Sequence, residues 1–257
     1  MNFLVAMLLL HVKKEEDVFW CLGALVEELL KGYFDKDMVQ SRVDLYVFKG
    51  LLEKELPALA SHFDSFSFDI SCVTARWFIC IYVDCLPESA VKEVWGRLFQ
   101  YGRNILHQVA LALLASHAEE ILSQTDLGML IMTLQGAAEN VKDTGVLMDV
   151  AERQGEGKMA ENCARLNEKY TLVVLLEINK DNRRHFLRKN PDATAGELDA
   201  KFGPLIEPVK EDELSTGVEV AEEATSSNGE EHQRPPPAIA IAATAPSSSE
   251  EAAYNTM

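Results

Sequence analysis

Residues 70–87 read ISCVTARWFICIYVDCLP, and the conformation of this apolar stretch decides the fold class. Its β-branched and aromatic residues, such as Val73, Ile81 and Tyr82, are of the kind that strands favour. A continuous apolar run can equally form a buried helix, and periodicity alone does not separate the two. Because no second strand candidate of similar quality lies nearby and every neighbouring segment has helical spacing, we predict a buried helix.

Helical spacing continues on both sides of this stretch. Apolar residues recur three and four positions apart nearly everywhere before residue 190, which is the pattern of amphipathic helices. Gly32 and Gly102 suit helix ends, and Pro87 suits the first turn of a helix. The predicted helices cover residues 15–32, 43–56, 87–102, 106–121, 127–141 and 158–189. The sequence therefore predicts an all-α fold.

The first ten residues, MNFLVAMLLL, form another apolar run. This run is about half the roughly 20 residues that a membrane-spanning helix needs. No Lys or Arg precedes Phe3, whereas Lys13 and Lys14 follow the run, so the charge order of a secretory signal is reversed. We predict that the segment is a buried core helix.

The composition changes near the C-terminus. From Glu211 onward the sequence consists mainly of Glu, Ala, Ser, Thr and Pro, with ten acidic residues against one Arg. More than half of the net charge of −17 therefore belongs to this segment. Such a composition buries too little apolar surface to offset the entropy lost on ordering. We predict a disordered, acidic tail rich in Pro, Ser and Ala over residues 203–257.

The acidic balance argues against a nucleic-acid surface, which needs a basic patch to replace counterions along the phosphates. The most basic stretch is NKDNRRHFLRK at residues 179–189. It is interpreted as the cationic C-terminal end of a long helix, where the helix dipole favours positive charge. Binding of lipid or phosphate is the alternative interpretation of this stretch.

Motifs of catalysis or metal binding do not emerge from the sequence. The text nearest to a phosphate-binding loop, Gly155–Met159, lacks both the first Gly and the Ser or Thr of that motif. Cys80 and Cys85 are five residues apart, which is the wrong spacing for a structural zinc pair. We therefore predict no catalytic residue, no cofactor and no metal.

The histidines and cysteines have simpler interpretations. His107 and His117 are expected on different faces of one helix, as surface residues or residues with partly satisfied hydrogen bonds. The five cysteines are an odd number and lie in apolar or helical runs. They are predicted to be buried, reduced thiols.

Four strings, taken in order, resemble successive blocks of the TBC domain, the all-helical module of Rab GTPase-activating proteins. They are MNF at 1–3, EEDVFWCLGALVEELLKGYF at 15–34, VTARWFICIYVDCLP at 73–87 and VWGRLFQYG at 94–102. Three aromatic pairs within them strengthen the match: Phe19 with Trp20, Trp77 with Phe78, and Trp95 with Phe99. The chain departs from the family at Ala75, where Pro is frequent, and at Gly96, where Asp is frequent.

The resemblance covers about residues 1–125 and implies the C-terminal half of a TBC domain, built of right-angled, bundled helices. Residues 126–202 would form a helical extension that contains the long helix at 158–189. The aromatic pairs are expected to pack in the core, with partner contact as the alternative. The implied partner is a small GTPase of the Rab family. The implied location is cytoplasmic, at the periphery of endomembranes and in contact with them only through the Rab.

The resemblance also bears on catalysis. TBC proteins act on a Rab with an Arg from an I-x-x-D-x-x-R block and a Gln from a Y-x-Q block, and such an arginine finger contributes roughly 10³–10⁵-fold in rate. In the family both blocks precede the MNF string, so we expect them to lie upstream of Met1. We therefore expect a truncated Rab GTPase-activating protein that lacks the catalytic Arg and Gln. The alternative is a non-catalytic helical protein that binds a Rab or another partner.

Four arginines of the chain could be considered as replacements for the missing finger. They stand at positions 42, 76, 97 and 103, but nothing in the sequence positions them at a nucleotide. Asn2 and Arg76 are the candidates for partner contact, and a surface salt bridge is the simpler role for Arg76. Apolar faces that would contact the missing half should be exposed or repacked, and an exposed patch would make this polypeptide less soluble than its charge suggests.

Overall fold

The computed structural model describes residues 1–155 and 157–204, and every regular element in these ranges is helical. The prediction of an all-α fold is therefore confirmed for this part of the chain. In chain order the helices are α1 (Asn2–His11), α2 (Glu15–Gly23), a π-helical turn (Ala24–Leu29), α3 (Val39–Glu55), α4 (Pro57–Ser65), α5 (Ser71–Ile79), α6 (Glu88–Tyr101), α7 (Asn104–Ser116), α8 (Ala118–Ser123), α9 (Leu127–Glu139), α10 (Thr144–Gln154), α11 (Met159–Lys189) and α12 (Ala195–Phe202).

The stretch at 70–87 is only partly the helix that its pattern predicts. Helix α5 ends at Ile79, and Ile81 and Tyr82 have positive φ angles of 47° and 63°. A β-branched residue in this region is strained. Two buried hydrogen bonds hold the turn, from the Tyr82 hydroxyl to the Leu106 carbonyl at 2.6 Å and from the Trp95 indole to the Ile81 carbonyl at 3.0 Å. Contacts distant in sequence therefore stop the helix that local spacing favours.

Helix α1 is present where the apolar N-terminal run predicts it, but it is buried on one face only. Leu4, Met7 and Leu8 are at most 5% exposed, whereas Leu10 is 71% exposed. The prediction of a buried core helix is therefore wrong for the outer face. None of the helices in the described ranges has the length and apolarity that a bilayer crossing requires.

Several predicted boundaries are corrected by turns that the spacing does not show. The helix predicted at 15–32 changes to π-helical hydrogen bonding after Gly23, and the segment ends at Gly32 with φ 82°. The helix predicted at 106–121 is divided into α7 and α8 at His117. Helices α3, α6, α9 and α11 match their predictions to within a few residues. Helices α4, α10 and α12 were not predicted.

The core is organised around α7, which packs against α3, α5, α6, α9 and α10. Seven apolar residues of α7 are completely buried: Leu106, Val109, Ala110, Leu111, Ala112, Leu113 and Leu114. His107 is also buried, at 2% exposure, and its ring packs edge-on against Phe78 at 5.3 Å between centroids. Its Nε2 lies 3.3 Å from the Asp44 carbonyl oxygen, and its Nδ1 has no partner. His107 is thus a core residue with partly satisfied hydrogen bonds, not a surface residue.

A buried carboxylate joins α3 to the start of α7. Asp44 is 1% exposed, and its side chain accepts hydrogen bonds from the Tyr33 hydroxyl and, at 2.9 Å, from the Gln40 amide. The Arg103 guanidinium lies 3.7 Å away and supplies the compensating positive charge. Because a buried carboxylate is costly unless it is paired and hydrogen-bonded, these three partners stabilise the junction of α3 and α7 together.

Helix α12 is the last helix of the described residues. Gly203, with φ 77°, ends this helix. The disordered tail predicted from residue 203 lies, from residue 205 onward, outside the described residues. The helical extension predicted at 126–202 contains α9 to α12, and α11 packs along α3 of the preceding segment.

Candidate functional site

Arg76 lies on the exposed side of α5 and is held by an ion pair. Its Nε is 2.6 Å from Oδ2 of Asp84, and its Nη2 donates to the Asp84 carbonyl at 3.1 Å. The hydrogen bond with this carboxylate raises the pKa of the guanidinium above its ordinary value. The salt bridge expected for Arg76 is therefore present. The side chain remains 56% exposed, so it stays available to a partner.

The other candidate contact, Asn2, is an exposed residue in the first turn of α1. It adjoins Phe3, which is 56% exposed. Asn2 and Arg76 therefore both lie at the surface of the protein. Their role in partner contact stays a prediction.

The remaining candidate arginines are also engaged by carboxylates. Arg42 pairs with Glu177 at 3.0 Å, and Arg103 with Asp44 at 3.7 Å. Arg97 lies between Glu93 and Glu152, at 2.8 and 3.0 Å. A finger arginine has to meet developing phosphoryl charge with a preorganised, available guanidinium. None of these three guanidinium groups can meet a phosphoryl group without first losing its carboxylate partner.

The pattern I-x-x-D-x-x-R does occur once in the chain, contrary to the expectation that it lies entirely upstream. It is formed by Ile178, Asp181 and Arg184 on α11. Arg184 is exposed, and its guanidinium lies 3.4 Å from the Asp181 carboxylate, one turn away on the same helix. The pattern follows the TBC-like strings instead of preceding them, so its position does not match that of the finger block in the family. No Y-x-Q string occurs in the sequence.

Two of the three aromatic pairs contribute to the core. Trp77 and Phe78 are 2% and 0% exposed, and Trp95 is 5% exposed. The Phe78 ring packs edge-on against Phe48 with 5.5 Å between centroids. Core packing, the expected role of these residues, is confirmed for this group.

The third aromatic pair is exposed, so the expectation of core packing is wrong for it. Phe19 and Trp20 on α2 are 66% and 65% exposed and contact each other edge-to-face at 5.4 Å. Helix α2 packs against α1, whose outer side is also apolar. We call this exposed set the α1–α2 face; its large apolar members are Met1, Phe3, Leu9, Leu10, Phe19 and Trp20.

The α1–α2 face is comparable in area with the largest apolar patch of a typical monomeric protein, roughly 300–600 Å². A fully buried aromatic side chain covers roughly 150–250 Å², so its three aromatic rings alone leave on the order of 300 Å² uncovered. Contiguous apolar patches on monomeric proteins rarely exceed a few hundred Å², and larger ones mark interaction surfaces. The exposure expected for an unpaired half-domain is therefore present on α1 and α2.

The cysteines differ in their environments. Burial raises the pKa of Cys85 to about 12 and that of Cys163 to about 11, so these thiols stay protonated and unreactive at neutral pH. Cys72 is exposed and Cys21 and Cys80 are half-buried, which contradicts the predicted burial of these three thiols. All five thiols are free.

A cavity of about 430 Å³ lies between α7 and the segment that joins α9 to α10. Its lining combines apolar residues such as Leu113 and Val146 with polar ones such as His117 and Asn140. Within residues 1–155 and 157–204, no three His, Cys, Asp or Glu side chains are grouped so that they could hold a metal ion.

Comparison with known proteins gives one consistent family. The family model of the Rab-GTPase-TBC domain matches residues 1–122. Growth hormone-regulated TBC protein 1 of Mus musculus is 38% identical over 127 residues, which cover 49% of this chain and 35% of the mouse protein. TBC1 domain family member 2A of Mus musculus is 30% identical over 200 residues, covering 74% of this chain and 22% of that protein. The chain thus spans about a third or less of the length of these two relatives.

A solved structure agrees with the sequence relatives. The crystal structure of the Chlamydomonas flagellar RabGAP TBC domain matches with a TM-score of 0.54 and 34% identity, over 61% of this chain and 52% of that domain. Residues 1–122 therefore match the Rab-GTPase-TBC domain family, and the chain also resembles a solved RabGAP TBC domain in fold.

Proposed function

We propose that this chain contributes the C-terminal half of a TBC domain to GTPase activation on a Rab, and that residues 1–257 alone do not accelerate GTP hydrolysis. The observation that carries the proposal is the match of residues 1–122 to the domain, combined with coverage of 52% of a solved RabGAP TBC domain. The ion pairs of the arginines at 42, 76, 97 and 103 support the second part.

The helical scaffold alone is not expected to lower the activation free energy of GTP hydrolysis, because most of that reduction comes from the finger side chains. A finger arginine contributes about 10³–10⁵-fold, which corresponds to roughly 4–7 kcal/mol of activation free energy. That contribution needs a guanidinium at the transferred phosphoryl group and a side chain that orients water. The arginines at positions 42, 76, 97 and 103 each form an ion pair with a carboxylate, and the sequence contains no Y-x-Q string.

A single-turnover GTP hydrolysis assay with a panel of Rabs tests this proposal. Residues 1–257 should leave every hydrolysis rate within about tenfold of the intrinsic rate, since tenfold equals only about 1.4 kcal/mol. Acceleration above that level would contradict the proposal. Arg184→Ala should then be measured first, because Arg184 completes the one I-x-x-D-x-x-R pattern of the chain.

We further propose that the α1–α2 face contacts a finger-bearing TBC segment, encoded in the same polypeptide or supplied in trans. Such a contact would cover Phe19 and Trp20, which are otherwise about two-thirds exposed. A separate polypeptide that carries the I-x-x-D-x-x-R and Y-x-Q blocks of a TBC domain should bind residues 1–257. The Phe19→Asp/Trp20→Asp variant should lose that binding, and equal binding by the variant would contradict this assignment.

The second candidate is a non-catalytic protein that binds a Rab, and the occupied arginines favour it over an unaided activator. Rab capture in both nucleotide states without a rate change would identify this function. In either case the proposed partner is a Rab, and the proposed place is the cytoplasmic surface of endomembranes, reached through that Rab. No contact with nucleic acid is expected because the chain has a net charge of −17.

A further inference from the structure

A groove lies between helices α8, α9 and α10. It consists of two cavities of about 430 and 270 Å³, which share His117, Glu120 and Asn140 in their linings and therefore adjoin. Met132 lines the smaller cavity and Val146 lines the larger one. We call the two cavities with these five residues the α8–α10 groove. Because the cavities adjoin, one elongated occupant can fill both.

The apolar rim of the groove is exposed. Met132 is 65% exposed and Val146 is 55% exposed. Methionine side chains are flexible and fill irregular gaps, and they are frequent on surfaces that adapt to a partner. The volume of the larger cavity lies within the range of roughly 300–1,000 Å³ that is usual for ligand pockets, so it has room for an apolar side chain of another molecule. The rim therefore has the properties of a docking surface.

The helices that form the groove are strongly acidic. Residues 117–150 contain six acidic residues and one lysine, and all six acidic side chains are exposed. Glu120 lines both cavities, and no cation in the described part of the chain forms an ion pair with its carboxylate. Asp143 lines the larger cavity, together with the single Lys142. A complementary occupant therefore combines an apolar side chain with positive charge.

The C-terminal part of α11 has this combination of side chains. Lys180, Arg184 and Arg188 are four residues apart and therefore lie on one side of the helix, where all three are exposed. Leu187 follows Arg184 by three residues, lies on the same side and is 37% exposed. Arg184 also meets Asp181 at 3.4 Å, but both side chains are more than 60% exposed, so this ion pair contributes little. We call Lys180, Arg184, Leu187 and Arg188 the α11 end.

Within one molecule, the α11 end and the α8–α10 groove are separate surfaces. Helix α11 packs along α3 and against α12. No residue of α11, which is described over its full length, lines either cavity of the groove. The protein therefore has two surfaces of opposite charge that do not contact each other. The α11 end of one molecule is free to meet the groove of another.

We propose that the α11 end of one molecule docks in the α8–α10 groove of a second copy of this chain. Leu187 enters the larger cavity, and the arginines of the α11 end approach the carboxylate of Glu120. Because the two surfaces differ, the contact is head to tail, and each molecule binds one neighbour at each surface. This self-association is independent of Rab activation, since it uses neither the α1–α2 face nor Arg76.

The small size of the contact makes the association weak. The segment from Lys180 to Arg188 is only about 12 Å long, so it covers much less than the roughly 1,200 Å² that stable interfaces bury. We therefore expect a Kd on the order of 100 µM. Exposed charges are screened over about 10 Å at 0.1 M ionic strength and about 3 Å at 1 M. The lower salt concentration weakens the repulsion between two acidic molecules but preserves the attraction at the contact, whereas the higher one weakens both.

Sedimentation equilibrium of the full chain tests the contact. Every protein carries Phe19→Glu/Trp20→Glu as a background, which removes association through the α1–α2 face. At about 100 µM protein and about 0.1 M NaCl, the weight-average molar mass of the background protein should be at least about 1.5 times that of the monomer. At about 1 M NaCl it should fall toward the monomer value. A monomeric background protein at the lower salt concentration would overturn the proposal.

Two variants test whether these two surfaces are the ones that meet. The groove variant is Glu120→Arg/Met132→Arg. The end variant is Arg184→Glu/Arg188→Glu. Each variant alone should be monomeric at the lower salt concentration, because its groove and its α11 end then carry charge of the same sign. An equimolar mixture should associate, because the intact groove of the end variant meets the intact α11 end of the groove variant.

A charge-matched control separates this contact from an effect of net charge. Lys31→Glu/Lys36→Glu replaces two exposed lysines between the π-helical turn and α3, and it changes the net charge as much as the end variant does. This control should associate like the background protein. Circular dichroism of every variant should show unchanged helicity, since all substituted side chains are exposed. A monomeric equimolar mixture, or an end variant that associates as strongly as the control, would overturn the proposal.

Discussion

Arg76 and Asp84 form an ion pair across the turn that ends α5, with 2.6 Å between Nε and Oδ2. The arginine is the exposed partner, whereas Asp84 is 17% exposed and its Oδ1 is buried without a hydrogen-bond partner. The Asp84 carboxylate therefore holds the Arg76 guanidinium in a defined position at the surface of α5. A protein partner could contact the guanidinium at this position.

The Arg76→Ala variant tests that role. Exposed ion pairs contribute little to stability, so the midpoint of a urea titration should change little. Where a Rab binds residues 1–257, as we propose, the variant should bind it at least about fivefold more weakly. Arg97→Ala is the matched control, since Arg97 is also an ion-paired arginine but lies on α6. Equal losses of Rab binding in both variants would remove Arg76 as a specific contact.

The core prediction concerns Phe48, which is completely buried and packs edge-on against Phe78. Phe48→Ala should lower the free energy of unfolding by about 3–5 kcal/mol, because a cavity adds to the lost transfer free energy. Phe19→Ala, at a ring that is 66% exposed, should change it by less than about 0.5 kcal/mol. Chemical denaturation of both variants measures the difference. A similar cost at both positions would show that the Phe19 ring is packed in solution.

The sequence predicts the long helices well because they carry their own apolar periodicity. Helix α11 is found at Met159–Lys189 against a predicted 158–189. The turn at Ile81 and Tyr82 was not predictable, since the bonds that hold it come from residues 14 and 24 positions away. Helix α4 was missed because its nine residues follow α3 after a single linking residue, so the two helices share one apolar pattern.

The candidate surface was predictable in kind but not in detail. The TBC-like strings identify the aromatic pairs, and Trp77, Phe78 and Trp95 pack in the core as expected. Sequence spacing does not reveal that Phe19 and Trp20 face outward, because their exposure depends on what packs against α2. It also does not reveal that Arg42 meets Glu177, which lies 135 positions away on α11.

Stability should depend on pH through His107. Burial lowers the pKa of its imidazole below the ordinary value, so the folded state holds this side chain neutral. The unfolded chain binds the proton near pH 6.5, and stability is therefore complete above that value and is lost as pH falls toward the folded pKa. The melting temperature should drop between pH 7 and pH 5.

A substitution isolates the contribution of this residue. His107→Gln should lower the melting temperature at pH 7 but reduce its dependence on pH between 7 and 5. His185→Gln, at an exposed position on α11, is the control and should keep the wild-type dependence. An unchanged slope in the His107 variant would show that other groups cause the loss of stability in acid.

Self-association should depend on the α1–α2 face. Replacing Phe19 and Trp20 by Glu removes two exposed aromatic rings and adds two charges, so aggregation measured by light scattering should begin at a severalfold higher protein concentration. Because both rings are about two-thirds exposed, the melting temperature should stay within about 4 °C of wild type. Leu172→Glu/Leu175→Glu, at exposed apolar residues of α11, adds the same charge and serves as the control. If the control suppresses aggregation equally, net charge and not this face governs association; if only the Phe19/Trp20 variant does, the exposed rings of α2 are its cause.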